Sequence, residues 1–147
     1  MPDTPLFAST PTCGFEIIGR AECLRLLTVA EVGRVIYTEN ALPAAHPVTY
    51  TLAGEEVFFR TGSRTKAAAA SKGAVFAFQV DDIDFDDQSG WSVLGVGHAY
   101  EVTDSDRLAA LDRHVPRPWL PDHDEYTIGI VLSRLNGRRV RRGPDQD

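Results

Sequence analysis

Residues 55–73, with the sequence EEVFFRTGSRTKAAAASKG, contain the change of pattern that decides the fold. The first part, residues 55–61, is rich in aromatic and β-branched side chains, which is typical of a strand. The next part, residues 65–72, is rich in alanine and therefore strongly favours a helix. Ser63 is a suitable N-cap for that helix, and Gly73 is a suitable residue to end it. The stretch predicts a strand followed at once by a short helix.

Short runs of strand-like composition lie on both sides of this stretch, and turn residues separate them. Ala53 and Gly54 predict a tight hairpin turn between two of the runs. Further helices are predicted over residues 20–27 and 105–114, with Leu108 and Leu111 facing inward. Six strands with two or three short helices fit a small antiparallel barrel better than a sandwich. The predicted strands are residues 34–38, 47–52, 55–61, 74–80, 91–102 and 126–135.

Length and charge limit the classes of protein that this chain can represent. Its 147 residues fit one domain, which we place at residues 16–140, after a flexible leader (1–15) and before a tail (141–147). The formal net charge of -6 disfavours nucleic acid and anionic membranes as partners. No apolar run approaches the roughly 18 residues that a membrane helix needs, and the N-terminus lacks the features of a signal peptide. A cytoplasmic protein is therefore expected.

Metal and disulfide sites are not predicted. Cys13 and Cys23 are the only cysteines, and neither has a second cysteine or a histidine at ligand spacing. The acidic run at residues 81–87 lacks the central glycine and the closing glutamate of a calcium-binding EF-hand loop. We expect two reduced thiols and a solvated acidic loop between strands.

The junction between the predicted strand and helix could bind an anion. The start of a helix carries unsatisfied N–H groups and partial positive charge. Arg60, Arg64 and Lys66 add three basic side chains there, which suits a phosphate. On residue types alone, a solvated basic start to a surface helix explains the same residues.

The order of short motifs along the chain resembles the small pyridoxamine 5′-phosphate oxidase-like proteins, in the branch described as nitroimidazole-resistance or flavin/deazaflavin oxidoreductases. The resemblance runs from about residue 21 to residue 139, and it rests on the ordered set of motifs. The motifs are VGRV (32–35), PVTY (47–50), VFFRT (57–61), VFAFQVD (75–81) and GWSVLGVGHA (90–99), with Ser63 and Lys66 after the third.

The resemblance implies a mainly β fold, a six-stranded antiparallel split β-barrel that forms a homodimer with two flavin sites in the subunit interface. It implies that Trp91 and Ser92 approach a flavin, which can be the partner subunit's. Residues 47–50 are expected to lie along the flavin ring, and the strand–helix junction is expected to surround the phosphate. By residue, the ring contacts would be Pro47, Val48, Thr49 and Tyr50, and the phosphate contacts Arg60, Thr61, Ser63, Thr65 and Lys66.

The implied function is that of an oxidoreductase in which FMN transfers hydride to a small organic substrate, with no catalytic side chain assigned. A reductase that uses the deazaflavin coenzyme F420 is the alternative, in which Arg64 or the arginines of residues 137–142 would hold a longer anionic tail. A non-enzymatic carrier of flavin or haem is another, with His46 or His98 as an iron ligand, although His98 lies within a strand run where a structural role is expected.

Two positions differ from the pattern that the resemblance implies. Many relatives carry asparagine at the position of Thr49 and glutamate at that of Gln79, and these differences bear on the identity of the cofactor. The loop at residues 114–124 could line a substrate pocket through Trp119, His114 or His123. Packing of Trp119 on the barrel, with both histidines in solvent, explains the same loop.

Overall fold

The computed structural model describes residues 15–117 and 125–141, which form an antiparallel β protein with three helices. Cys13, Trp119 and His123 lie outside the described residues. The strands are β1 (Phe15–Ile18), β2 (Val32–Glu39), β3 (Leu42–Thr49), β4 (Thr51–Ala53), β5 (Glu56–Thr61), β6 (Val75–Asp84), β7 (Ser89–Glu101), β8 (Tyr126–Val131) and β9 (Arg134–Val140). The helices are α1 (Arg20–Val29), α2 (Arg64–Ser71) and α3 (Ser105–Asp112).

The strands form two sheets that share β7. In the first sheet the order is β3-β2-β6-β7-β9-β1, and in the second it is β7-β8-β5-β4. Every pairing is antiparallel, and the sheet does not close on itself. The predicted split barrel with two or three helices is therefore confirmed.

Strand β7 holds the two sheets together because it changes partner along one of its edges. Residues 90–96 of β7 pair with β9, whereas residues 99–101 pair with β8. The chain turns between those partners at Leu132 and Ser133, beside Gly97. A Cβ atom at Gly97 would lie 1.5 Å from the carbonyl oxygen of Val131, so only glycine permits this approach.

The strand bounds differ from the predicted ones where tertiary contacts interrupt a run. The run at residues 47–52 divides at Tyr50, whose hydroxyl donates a 2.6 Å hydrogen bond to the Leu27 carbonyl at the end of α1. The run at residues 126–135 divides at Leu132, whose N–H donates to the Glu55 carbonyl. Strand β1 was not predicted, and β6 continues to Asp84, which leaves a shorter acidic turn than expected.

The predicted turns and caps are present. Gly54 and Gly73 have φ angles of +64° and +72°, in the left-handed region that favours glycine. The Ser63 hydroxyl caps α2 by accepting a hydrogen bond from the N–H of Lys66. The main core fills the barrel with buried aromatic and aliphatic side chains, among them Phe59, Phe76, Phe78, Val35, Val93, Ile128 and Ile130.

Helix α3 packs outside the barrel over a smaller cluster. Phe58, Val102 and Val115 are buried there, and Leu108 and Leu111 of α3 pack against them, facing inward as predicted. Neither leucine is fully buried, and α3 has no buried residue at all. Since buried apolar area provides most of the stability of a short helix, α3 depends strongly on its polar contacts.

Gly97→Ala tests the role of the shared strand. We expect a loss of about 3 kcal/mol or more in the free energy of unfolding, because the new methyl group meets backbone atoms that cannot rotate away. Gly19→Ala is the matched control, since a Cβ atom there meets nothing within 4 Å. Urea denaturation of both variants measures the difference, and equal stability of the two would contradict the assigned role of Gly97.

Candidate functional site

The junction between β5 and α2 is held by side-chain hydrogen bonds at the predicted anion site. The Thr61 hydroxyl accepts a 3.1 Å hydrogen bond from the N–H of Ser63. The Ser63 hydroxyl then accepts from the N–H of Lys66 at 3.2 Å. These two bonds fix the direction in which the first turn of α2 leaves the strand. Thr65, in the same turn, is exposed.

Lys66 is a largely buried basic residue in the first turn of α2. The residue is 7% exposed, and its Nζ lies 5.8 Å from the centre of the Tyr37 ring. Within the described residues, no carboxylate lies close enough to Lys66 to form an ion pair. Burial lowers the pKa of the Lys66 amine, while the charge of Glu39 acts in the opposite direction. The site therefore has positive charge to offer to an anionic ligand.

Tyr37 connects this junction to strand β3. Its ring lies 5.8 Å from that of His46 on β3, and its hydroxyl donates a 3.3 Å hydrogen bond to Glu39. Sequence reasoning did not assign Tyr37 or Glu39 to the site. The available signal is alternation, since Val35, Tyr37 and Glu39 occupy every second position of one strand and so share a face.

Strand β3 is the terminal strand of its sheet and has one edge that no described strand pairs with. Pro47 on this strand is exposed, and Val48 and Thr49 are half-buried. Backbone groups along a free edge are available to a ligand. Tyr50 differs from its three neighbours, because its side chain is 5% exposed and lies in the core against Phe78.

Arg60 lies on the opposite face of β5 from Thr61, because successive side chains of a strand alternate. It is 8% exposed, and its Nη2 atom donates to a carboxylate oxygen of Asp112 at 2.7 Å and to the Asp112 carbonyl at 3.2 Å. The structure therefore gives this predicted phosphate ligand a partner within the chain, 52 residues away.

Trp91 and Ser92 line a separate groove. It has a volume of about 440 Å³ and lies between β7 and β9, with Arg138, Ile83 and Val140 among its other lining residues. Strands β6 and β2 stand between β7 and β3, so three strand spacings of about 4.8 Å, or about 14 Å in all, separate this groove from β3. Within one chain, Trp91 and Ser92 do not join the site at β3 and α2.

Gln79 and His98 are used in contacts within the chain. The Gln79 amide donates to the Asp81 carboxylate at 2.9 Å and to the Ser92 hydroxyl at 3.2 Å. A glutamate at position 79 would place a second negative charge beside Asp81, which accounts for the glutamine. The Nδ1 atom of His98 donates a 2.7 Å hydrogen bond to the Gly73 carbonyl, and this bond confirms the expected structural role.

In residues 15–117 and 125–141, no group of three or more histidine, cysteine or acidic side chains is arranged to hold a metal ion. None of the three helices there is long and apolar enough to cross a membrane.

Comparison with known proteins gives one family. The family profile for pyridoxamine 5′-phosphate oxidase matches residues 19–139. Protein Rv0080 of Mycobacterium tuberculosis is 32% identical over 139 residues, which cover 90% of this chain and 91% of that protein.

Solved structures agree with the family match. An FAD-binding protein of Mycobacterium smegmatis has a TM-score of 0.69 at 28% identity, covering 85% of this chain and 98% of that one. An FAD-binding protein of Mesorhizobium loti has a TM-score of 0.72 at 19% identity, covering 88% of this chain and 99% of that one, and so shares the fold. With the split barrel, the profile match and the relative from Mycobacterium tuberculosis taken together, the chain belongs to the pyridoxamine 5′-phosphate oxidase family.

Proposed function

We propose that the protein is a flavin-dependent oxidoreductase that holds the phosphate of its cofactor at the start of α2, with FMN as the cofactor. The observation that carries the proposal is Lys66, a largely buried residue whose ammonium group has no carboxylate partner among the described residues. Burial of most of the side chain weakens the solvation of its charge and lowers the pKa of the Lys66 amine, so an anion beside the amine would stabilise it. A phosphate would be that partner.

The residues around Lys66 fit a phosphate group. Hydroxyl groups of Thr61, Ser63 and Thr65 lie on the segment that surrounds the helix start. The helix start adds partial positive charge, and the cap fixes its direction. Charge-assisted hydrogen bonds from lysine to phosphate are among the stronger ones in proteins. The bound phosphate would replace water as the neighbour of Lys66.

The free edge of β3 fits the ring of the flavin. Pro47, Val48 and Thr49 run along this edge, and the Tyr37 ring adjoins both β3 and the amine of Lys66. A flat ring with a polar edge can take hydrogen bonds from the backbone of such a strand. When bound, the flavin supplies the hydride chemistry, while the protein supplies position and exclusion of water.

Two longer cofactors are alternatives to FMN at this site. The relative from Mycobacterium smegmatis is described as binding FAD, and coenzyme F420 also has an extended anionic tail. A groove of about 530 Å³ between α2 and the β2–β3 turn, lined by Arg64, Thr65 and Asn40 among others, would take such a tail. The C-terminal arginines have less positive charge available for the anionic tail of F420 than expected, since Arg139 and Arg141 pair with glutamates.

A non-enzymatic carrier of flavin or haem is the second candidate function. The observation that favours it is His46, which is exposed on β3 beside the Tyr37 ring. An exposed imidazole next to an aromatic face is a possible axial ligand for haem iron. A Soret band in the purified protein, lost in His46→Ala, would support this candidate over the oxidoreductase.

The cofactor is identified first by spectroscopy. We expect freshly purified protein to show flavin absorption, and heat to release FMN that mass spectrometry identifies. Apo-protein titrated with FMN, FAD and coenzyme F420 ranks the three affinities. Release of FAD would show that FAD is the cofactor in place of FMN, and clearly tighter binding of F420 would show the same for F420. A colourless protein that binds no flavin would refute the proposed function.

Lys66→Ala tests the phosphate site. We expect FMN affinity to fall by roughly 10- to 100-fold, because a charge-assisted contact is lost. Affinity for riboflavin, which has no phosphate, should change little, and Lys66→Arg should retain most of the FMN affinity. Arg25→Ala removes one positive charge from α1, where Arg25 pairs with Glu22, and serves as the control. Fluorescence titration measures all of these, and an unchanged FMN affinity in Lys66→Ala would eliminate the site.

A homodimer with the cofactor between subunits is also proposed. Its support is that three strand spacings, about 14 Å along the sheet, separate Trp91 and Ser92 from β3 within one chain, and a second chain would bring another copy of these residues to the ring. We expect light scattering to give twice the chain mass, and FMN to quench Trp91 fluorescence in a Trp119→Phe background. A monomer at saturating FMN would contradict this arrangement.

A further inference from the structure

Glu39 is a half-buried carboxylate at the end of β2, and none of the proposed cofactor contacts involves it. The Tyr37 hydroxyl, two positions earlier on the same face, donates a 3.3 Å hydrogen bond to it. Among the residues that the structure describes, this is the one hydrogen bond that the carboxylate accepts, and no cation forms an ion pair with it. A carboxylate has about four acceptor positions, so most of those on Glu39 remain for water or a ligand.

The groove that Glu39 lines also contains one of the proposed phosphate contacts. This groove, of about 530 Å³, lies between α2 and the β2–β3 turn. Glu39 and Asn40 line it from the turn side, and Thr65 lines it from the first turn of α2. Arg64 and Lys72 add positive charge on the α2 side. The groove therefore carries negative charge on its β2 side and positive charge on its α2 side.

Glu39 is also close to Lys66, through Tyr37. The Lys66 Nζ lies 5.8 Å from the centre of the Tyr37 ring, whose hydroxyl contacts Glu39. The negative charge of Glu39 raises the pKa of the Lys66 amine against the effect of burial. The two groups therefore influence each other without forming an ion pair. A phosphate held by Lys66 would place the neighbouring atoms of the same molecule near the carboxylate.

Those neighbouring atoms have to suit a negative charge. A second anionic group of the ligand beside Glu39 would be repelled, and an apolar group would leave the carboxylate without donors. Hydroxyl groups satisfy it, because O–H donors form strong hydrogen bonds with an ionised acceptor. In FMN, the ribityl chain joins the phosphate to the ring and carries such hydroxyl groups. In FAD, the ribose of the adenosine carries further hydroxyl groups on the other side of the phosphates.

We propose that the Glu39 carboxylate accepts hydrogen bonds from the sugar hydroxyl groups beside the cofactor's phosphate. The inference rests on the proposed function, because it takes the phosphate to lie at the start of α2. It makes Glu39 a residue that selects flavins with a sugar chain over the bare ring. Tyr37 is a positioning residue, since its hydroxyl holds one carboxylate oxygen and leaves the remaining acceptor positions for the ligand.

Glu39→Ala tests this contact with two flavins that lack a phosphate. We expect riboflavin affinity to fall roughly tenfold, because charge-assisted hydrogen bonds are lost. Affinity for lumiflavin, which has the ring without the sugar chain, should not change. Glu39→Gln keeps one acceptor oxygen and should lose less riboflavin affinity. Glu31→Ala is the matched control, since it removes an equal charge next to the other end of β2, about 26 Å away. Fluorescence titration measures each affinity.

Titration with FMN and FAD separates the two sources of hydroxyl groups. A lower riboflavin affinity in Glu39→Ala assigns the contact to the ribityl chain, and FMN should then lose less affinity than riboflavin, because removing the negative charge also favours the phosphate. An unchanged riboflavin affinity with a roughly tenfold lower FAD affinity assigns the contact to the adenosine ribose. Tyr37→Phe keeps the Glu39 charge and should weaken binding of the same flavin by less than Glu39→Ala does. It provides a second test should Glu39→Ala fold poorly.

FMN binding that depends on Lys66, with riboflavin and FAD affinities unchanged or higher in Glu39→Ala, would overturn the inference alone. An equal loss of lumiflavin and riboflavin affinity would do the same, since lumiflavin has no sugar hydroxyl to donate. Wild-type protein that binds riboflavin no more tightly than lumiflavin, and FAD no more tightly than FMN, would also overturn it. Absence of flavin binding altogether would overturn both the inference and the proposed function.

Discussion

The approach of the Val131 carbonyl to Gly97 is the contact on which the two-sheet arrangement depends. At this point β7 stops pairing with β9 and starts pairing with β8, and the chain between those strands turns against the glycine. Any side chain at Gly97 would separate the two sheets at their shared strand. The position of β5 follows, because β5 pairs with β8 and is placed by it. The candidate site at the end of β5 is thus fixed by a close contact that none of its own residues makes.

Two cations near that site have different surroundings because they lie on different elements, Arg60 on β5 and Lys66 on α2. Arg60 points outward to α3 and finds the Asp112 carboxylate there. Lys66, on the first turn of α2, points to Tyr37 in the barrel and finds no carboxylate within the described residues. Burial penalises both charges, and among the residues that the structure describes a carboxylate offsets this penalty for Arg60 but not for Lys66. A ligand phosphate would balance the charge of Lys66 directly.

The two regions that the resemblance assigns to flavin binding lie apart within one chain. His46 on β3 and Lys66 at the start of α2 both lie near the Tyr37 ring, whereas Trp91 lines a groove on the other side of β6 and β2. Residues that the family resemblance assigns to flavin binding are therefore divided between two places on one chain. In the proposed dimer, a second copy of the chain would bring the two places together.

The local secondary structure could be predicted from the sequence by itself. The strand-to-helix change at residues 55–73, the cap at Ser63 and the left-handed glycines Gly54 and Gly73 follow from the preferences of neighbouring residues, and all are present. The order of motifs was sufficient to identify the family. Contacts between distant residues were decided only by the tertiary structure: the pairing of Arg60 with Asp112, the division of one predicted strand at Tyr50, and the pairing of β1 with β9. The physical reason is that sheet register and helix docking bring these partners together, and no local preference of either partner specifies the other.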